Sequence, residues 1–238
     1  MGLQFNFQFM LHEITIGVRY IPVVLLLSVV PLVVGLILGT IIALVRLYKI
    51  RIINKVFAVI VIFIRGVPLI LQLTSLFLFI NLTFDPLAKF FGLGITSKSV
   101  SYTAIALVGL TVNATVYLSE VVRTALQSVS SGQYEAGYSV GLTTMQTLRR
   151  LIIPQAVPVA VPLLGSSFIG LIKGSSAASL VSVVEVINAT LHEANKSYSF
   201  LEAYVASAII YWAMCMLVER IVALLETRVG AYDRGGVV

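Results

Sequence analysis

Apolar stretches long enough to cross a bilayer constrain this chain more than any other feature. A hydrocarbon core of about 30 Å needs roughly 20 apolar residues as a helix, and the 238-residue sequence contains five such candidates. They are residues 21–45, 56–80, 99–119, 155–172 and 203–218. Because lipid offers no partner to free backbone groups, each is predicted to be a helix rather than an open strand. The predicted fold class is an all-α integral membrane protein with about five transmembrane helices, in one domain over residues 1–238.

Composition excludes several other classes of protein. Hydrophobic residues make up 59% of the chain and charged residues 11%, which is not the balance of a soluble globule. One cysteine, Cys215, and two distant histidines, His12 and His192, argue against a disulfide framework or a Cys/His zinc site. We expect no metal site. Residues 1–19 lack the basic start and cleavage site of a signal peptide, and they are predicted to form an interfacial segment.

The positions of the basic residues predict the orientation of the chain in the membrane. Membrane orientation explains the net charge of +6 better than nucleic-acid binding does. Ten follow the first, third and fifth stretches: Arg46, Lys49, Arg51, Lys55, Arg123, Arg149, Arg150, Arg220, Arg228 and Arg234. Four lie on the other side: Arg19, Lys89, Lys98 and Lys196. The positive-inside rule then places the N-terminus outside and the C-terminus in the cytoplasm. The longest outside connections, 81–98 and 187–202, are predicted to be loops too short to form a domain.

A polar segment, GQYEAGYSVGLTTMQTLRRLIIP at 132–154, lies in the predicted cytoplasmic connection 124–154. Its apolar residues fall at helical spacing in two sets: Tyr134, Tyr138 and Leu142, then Met145, Leu148, Leu151 and Ile152. Gly141 lies between the sets, and Pro154 is predicted to end the second helix. The result is a helical hairpin that lies on lipid headgroups or docks in a groove of a partner protein. Periodicity alone leaves both open.

Ionisable residues near the hydrocarbon are the remaining candidates for function. We predict that Glu120 and Arg123, three residues apart, form a structural ion pair. Intramembrane charges are functional hypotheses by default, so Arg65 and Lys173 are predicted to line a substrate path at mid-depth. Ion pairs with Glu120 or Glu185 are the alternative role for both. The full predicted path is Arg65, Gly66, Pro68, Gln72, Lys173, Ser175 and Ser176.

The sequence offers no nucleotide site or nucleophile of its own. Gly165 to Gly170 begins like a phosphate loop, but Leu171 occupies the position of the required lysine. No G-x-S-x-G motif is present, and both histidines lie outside the apolar stretches. We therefore expect a protein that is not an enzyme.

The spacing within 132–154 resembles the EAA signature of ABC-importer permeases. Glu135-Ala136-Gly137 is followed by Gly141 after three residues and by Leu151, Ile153 and Pro154 after nine more. Gly137 stands where the signature has a second alanine, and glycine loosens a helix by up to about 1 kcal/mol relative to alanine. The resemblance implies that Glu135, Ala136, Gly137, Gly141, Leu142, Leu151 and Pro154 contact an ATPase subunit.

Further motifs resemble the polar amino acid permease family in the same order along the chain. They are FIRGVPLILQL at 63–73, VYLSEVVR at 116–123, GQYEAG at 132–137, PQA at 154–156 and IKGSS at 172–176. VSVVEV after IKGSS, with IIYW at 209–212, resembles most the branch that transports cystine and related sulfur amino acids.

The resemblance implies a type I importer permease with a cytoplasmic coupling-helix hairpin in a bacterial cell membrane. Its expected partners are ABC ATPase subunits that carry ATP and Mg, a second identical or related permease, an extracytoplasmic substrate-binding protein, the amino acid and membrane lipid, without nucleic acid. Two alternatives stay open at this point. A secondary transporter would show an inverted repeat, which the sequence lacks, and a membrane scaffold could also carry a docking hairpin.

Overall fold

The computed structural model describes residues 5–234, without the side chains of Lys98 and residues 230–234. Its α-helices are α1 (Phe7–Val18), α2 (Ile21–Leu47), α3 (Arg51–Gly66), α4 (Leu69–Phe90), α5 (Tyr102–Gln127), α6 (Ser131–Ser139), α7 (Thr144–Thr147), α8 (Ile153–Ser175), α9 (Val186–Ser197) and α10 (Phe200–Arg234). Short 3-10 turns cover Ser97–Ser99 and Ser176–Val181, and a π-helical turn covers Leu148–Ile152. The first four residues of the predicted interfacial segment 1–19 lie outside the described residues, as do the side chains of Lys98 and Arg234.

Five helical segments in the described range are long and apolar enough to cross a membrane, which confirms the predicted number. They are Ile21–Leu47, Leu69–Phe90, Tyr102–Gln127, Thr144–Val181 and Phe200–Val229. The predicted second span, 56–80, is wrong in its bounds because the helix is interrupted after Gly66. Val67 is extended, with φ −99° and ψ 128°, since the ring of Pro68 disfavours helical backbone in the residue before it.

The two connections predicted to be loops are largely helical. Helix α4 continues to Phe90, and α9 occupies most of the connection between the fourth and fifth spans. Glu185 begins α9 by accepting hydrogen bonds from the backbone N–H groups of Ile187 and Asn188. Prediction of these connections failed because polarity was taken to mean an absence of helix, whereas α9 is a polar helix that packs on α1 and α10.

Helices α2 and α5 form the centre of the molecule. A Cβ atom added to Gly39 would lie 2.8 Å from the backbone nitrogen of Ser119 and 2.8 Å from the carbonyl oxygen of Thr115. One turn earlier, a Cβ on Gly35 would lie 3.0 Å from the Cβ of Ala114. Small residues spaced by four permit backbones to approach this closely in membrane helices. The two helices therefore pack almost backbone to backbone.

The connections after α2 and after α5 meet at one end of the bundle. A buried cluster there joins the end of α2, the end of α5 and the π-helical turn before α8 through Leu44, Leu126, Leu148 and Ile152. At the other end, Leu27 of α2 packs with residues of α4, α5 and the 3-10 turn after α8. The basic connection after α2 and the segment 132–154 therefore lie at the same end of the bundle.

Gly39→Ala is expected to destabilise the protein by roughly 1–3 kcal/mol, because the new methyl group meets backbone atoms that cannot move aside. Cys215 is the single cysteine and is buried, so reaction of its thiol with a fluorogenic maleimide during heating reports unfolding. Gly170→Ala is the matched control, since a Cβ there meets nothing within 4 Å. Equal unfolding temperatures for the two variants would contradict the close α2–α5 packing.

Candidate coupling surface and substrate path

Residues 131–152 form the hairpin that the sequence predicts, with a turn whose chemistry is explicit. Helix α6 ends at Ser139, and Gly141 adopts a left-handed conformation with φ +78°, which glycine reaches without the usual steric cost. The next helix starts with a capping box between Thr143 and Gln146. This box satisfies a backbone donor at each end of the first turn, so the angle between the two arms is fixed locally.

Pro154 does not end the second arm, so that prediction is wrong. The chain remains helical from Thr144 to Ser175, through the π-helical turn Leu148–Ile152. Proline in a helix removes a backbone donor and clashes with the carbonyl four residues earlier. A π turn wraps the chain more widely just before Pro154 and thereby relieves that conflict. The hairpin and the fourth span are consequently one continuous helix.

Gly137, the departure from the EAA signature, fills a specific place in the hairpin. It is buried, and an added Cβ would lie 2.6 Å from Cγ2 and 2.8 Å from Oγ1 of Thr147, with Leu151 Cδ1 at 3.1 Å. Thr147 is itself fully buried. The bulkier Thr147 across the hairpin therefore requires glycine at position 137, and the helix-loosening effect expected from sequence is secondary to this contact.

The other residues predicted to contact an ATPase divide between the exposed surface of the hairpin and the contact between its two arms. Glu135 and Ala136 are exposed on α6, whereas Leu142 and Leu151 are partly covered. Beside Glu135 is an open cavity of about 410 Å³ between α6 and the ends of α2 and α5. Tyr48 and Tyr134 contribute its aromatic walls. Exposed Met145 and Val140 continue the apolar surface at the tip of the hairpin.

The interruption between α3 and α4 is held by Gln72. Its Nε2 donates to the carbonyl oxygens of Ile64, at 2.8 Å, and Val67, at 2.7 Å. Its Oε1 accepts from Nδ2 of Asn113 on α5, at 3.1 Å. Gln72 was predicted to line a substrate path, but its amide groups are engaged in satisfying the broken backbone, which is the usual requirement for irregular backbone within a membrane protein.

Arg65 lies in the last turn of α3, at the edge of a cavity of about 660 Å³ between α4, α5 and α8. Its guanidinium carbon is 5.7 Å from the centre of the Tyr117 ring, a cation–π distance. Gly66 and Pro68 also line this cavity. Sequence reasoning missed its polar residues Asn113, Ser166 and Ser167, although an asparagine in the middle of an apolar stretch was a usable signal.

Glu120 is bound by two arginines rather than one. Arg123 donates to Oε2 at 2.7 Å through one nitrogen and at 3.1 Å through another, and Arg46 of α2 donates to Oε1. Arg65 and Glu120 both border a second cavity of about 460 Å³, but Arg65 makes no salt bridge with Glu120 among the described side chains. Since Glu120 is already paired, Arg65 keeps its charge available toward the larger cavity.

Lys173 does not join Arg65. It is exposed and faces a separate cavity of about 320 Å³ with Tyr211 and Glu219. Ser175 and Ser176 donate to the backbone carbonyls of Ile172 and Lys173, each at 2.7 Å. The structure therefore separates the predicted path: Arg65, Gly66 and Pro68 border one cavity, and Lys173 borders another.

Five candidate spans, a helical hairpin before the fourth span and a cavity between α4, α5 and α8 agree with the fold of ABC importer permeases. The family of binding-protein-dependent transport system inner membrane components matches residues 35–231. The chain belongs to this family, as a polar amino acid importer permease. It is a multi-pass inner membrane protein, and members of its family are transporter subunits rather than enzymes.

Individual relatives agree with this assignment. A probable amino-acid ABC transporter permease, PatM of Vibrio harveyi, is 34% identical over 97% of this chain and 99% of its own length. The L-cystine transport system permease TcyB of Bacillus subtilis is 35% identical over 87% of this chain and 83% of its own.

Solved structures share the fold. A crystal structure of an amino acid ABC transporter with histidines superposes with a TM-score of 0.78 and 26% identity, covering 95% of this chain and all of that one. An inward-facing MetNI methionine ABC transporter gives 0.66 at 22% identity, over 88% and 95% of the two chains, and supports the fold alone.

Gly137→Ala is expected to lower ATPase copurification at least severalfold, because the added methyl group forces the hairpin arms apart. Thr147→Ala removes both close atoms, so the double variant is expected to recover most of the loss, a coupling that a double-mutant cycle measures. Gly132→Ala, in the same helix with only the Ser130 Oγ at 4.0 Å, is the control. Equal loss in the single and double variants would rule out this contact.

Proposed function

We propose that the chain is the permease subunit of an ATP-driven importer for a polar amino acid, and that it couples to a separate ATPase through residues 132–154. In this proposal the ATPase subunits bind ATP and Mg, two permeases enclose the path, and a binding protein delivers substrate outside. The N-terminus lies outside and the C-terminus in the cytoplasm. ATP-driven closure of the ATPases moves the hairpins and changes which side of the membrane the cavity faces.

The continuous helix from the hairpin into α8 is the observation that carries the coupling proposal. Helix α7, the π turn and α8 run without interruption from Thr144 to Ser175. The same helix contributes Ser166, Ser167 and Gly170 to the 660 Å³ cavity. A displacement of the hairpin would therefore be transmitted by a rigid element to the cavity wall, without any flexible linker between them.

The cavity has the chemistry expected for an amino acid. Arg65 is the one charged residue among its described lining residues, and Asn113, Tyr117, Ser166 and Ser167 supply neutral hydrogen-bonding groups. Guanidinium binds a carboxylate through a planar fork of donors, so we assign the substrate carboxylate to Arg65. The ammonium group would be directed toward the amide and hydroxyl oxygens. Lys173 and its cavity are left out of this path because they lie apart from Arg65.

Cystine is our finer substrate proposal. It is supported by the VSVVEV and IIYW tracts and by two cystine permeases of Bacillus subtilis, TcyB and TcyL, at 35% and 33% identity. Relatives for nopaline and glutamine, at 32% and 33% identity, make these compounds the natural competitors in a test.

Arg65→Ala is expected to raise the KM for uptake or lower its rate by at least tenfold, since a charged hydrogen bond is worth about 1.5–3 kcal/mol. Uptake is measured in proteoliposomes with the ATPase and binding protein present. Arg65→Lys should recover only part of the activity because it lacks the planar fork. Lys173→Ala is the control outside the cavity. Wild-type KM and rate for Arg65→Ala would eliminate the assigned role.

Copurified complex in nanodiscs is expected to hydrolyse ATP faster when cystine and its binding protein are added than with glutamine or nopaline under the same conditions. The reason is that only the loaded binding protein stabilises the conformation that closes the ATPases. Stimulation by glutamine but not by cystine would overturn the cystine proposal and leave the proposal of an amino acid importer standing. Uptake by the permease without any ATPase would overturn the importer itself.

A further inference from the structure

Helix α1 carries a carboxyl group in an unusual setting. The Glu13 side chain is fully buried, and both of its oxygens lack a hydrogen-bond partner among the described residues. Helix α1 packs on α9 and α10. One turn after Glu13, a Cβ added to Gly17 would lie 2.5 Å from Ile210 Cδ1 and 3.0 Å from Thr190 Cγ2. Glu13 is therefore enclosed on the face by which α1 contacts its neighbours.

Glu185 is the other fully buried carboxylate among the described residues, and burial raises its pKa as well, but hydrogen-bond donors oppose that effect. Glu185 accepts hydrogen bonds from the N–H groups of Ile187 and Asn188 and from the Tyr211 hydroxyl, the last at 2.6 Å. Burying a charge without such partners is unfavourable, and a carboxyl group then takes up a proton instead. Glu13 has no comparable donors, and burial raises its pKa above the ordinary range.

Charged neighbours do not compensate Glu13. On α1, the exposed His12 attracts the Glu13 carboxylate and lowers its pKa, but burial raises that pKa by a larger amount. Glu193 of α9 raises the Glu13 pKa further; α9 also carries His192 and Lys196, and the first turn of α10 carries Glu202. Lys196 pairs with Glu193 at 2.8 Å, and Glu202 accepts from the backbone N–H of Asn6 at 2.8 Å.

We propose that Glu13 is a proton-binding site that latches α1 onto α9 and α10. The docked helix holds Glu13 in its neutral form, and the released helix exposes it to water, where it ionises. The Glu13 site is separate from the assigned substrate cavity, and its protonation does not depend on the transport function of the family. Protonation of Glu13 makes the packing of α1 against α9 and the start of α10 sensitive to pH, whereas the packing of the bundle core is not.

The direction of the pH effect follows from linkage. The pKa of Glu13 is higher in the docked state than in the released state, so docking is strongest below the released pKa and weakens as pH rises toward the docked pKa. Between those two pKa values, each pH unit lowers the docking equilibrium constant by about tenfold, the slope for one proton. Above the docked pKa the constant no longer changes.

The test is a distance measurement on the full chain with its ATPase partner in nanodiscs. Spin labels replace Thr15 on α1 and Leu201 on α10, both exposed, in a Cys215→Ala background. Pulsed electron–electron double resonance is recorded at intervals between about pH 5 and pH 9, a range that brackets a raised carboxyl pKa. We expect the docked fraction to fall with pH in the wild type.

Glu13→Gln is expected to hold α1 in one pH-independent distance distribution, and Glu13→Met does the same if the amide variant does not fold. His12→Gln and Glu193→Gln remove the charged groups that act on the Glu13 pKa and should keep the wild-type dependence. The proposal is overturned if the wild-type distribution does not change with pH. It is also overturned if Glu13→Gln keeps the dependence, or if His12→Gln or Glu193→Gln abolishes it.

Discussion

Backbone groups inside a membrane must find partners within the protein, and the interruption between α3 and α4 is where this constraint acts most strongly. Gln72 supplies two donors to the carbonyls of Ile64 and Val67, and Asn113 holds Gln72 from α5. The interruption thus becomes a fixed corner instead of a flexible joint. That corner directs Arg65 to the edge of the cavity, so the proposed substrate site depends on it.

A single continuous helix connects the hairpin to the wall of the cavity. A proline at the start of a span would normally separate a cytoplasmic helix from a membrane helix, but the π turn before Pro154 keeps them continuous. The close fit of Gly137 on Thr147 fixes the other arm of the hairpin to this helix. The proposed coupling therefore requires the hairpin and the cavity wall to move together.

Sequence patterns predicted the features that depend on local chemistry. Continuous apolar stretches indicated five spans, and the arrangement of Gly141 between two apolar faces indicated the hairpin. Tertiary contacts were beyond this reasoning. The role of Gly137 depends on Thr147 across the hairpin. Lys173 is separated from Arg65 because it borders a different cavity, which residues of α10 also line. Gln72 is used structurally because the helix is interrupted between α3 and α4, an interruption that a hydropathy average over the whole stretch does not detect. Helix α9 was missed because its mean hydropathy is low, although Val186, Ala189, Thr190 and Ala194 form a buried face at helical spacing and the helix packs on α1 and α10.

The central claim is that the ATPase changes the side from which the Arg65 cavity is reached. Ser167→Cys in a Cys215→Ala background places a thiol in that cavity, and its reaction with a membrane-impermeant maleimide is measured in proteoliposomes from each side. The account predicts labelling from the cytoplasmic side without nucleotide and from the extracytoplasmic side when the ATPase is trapped with ATP. Labelling from the same side in both states would contradict it.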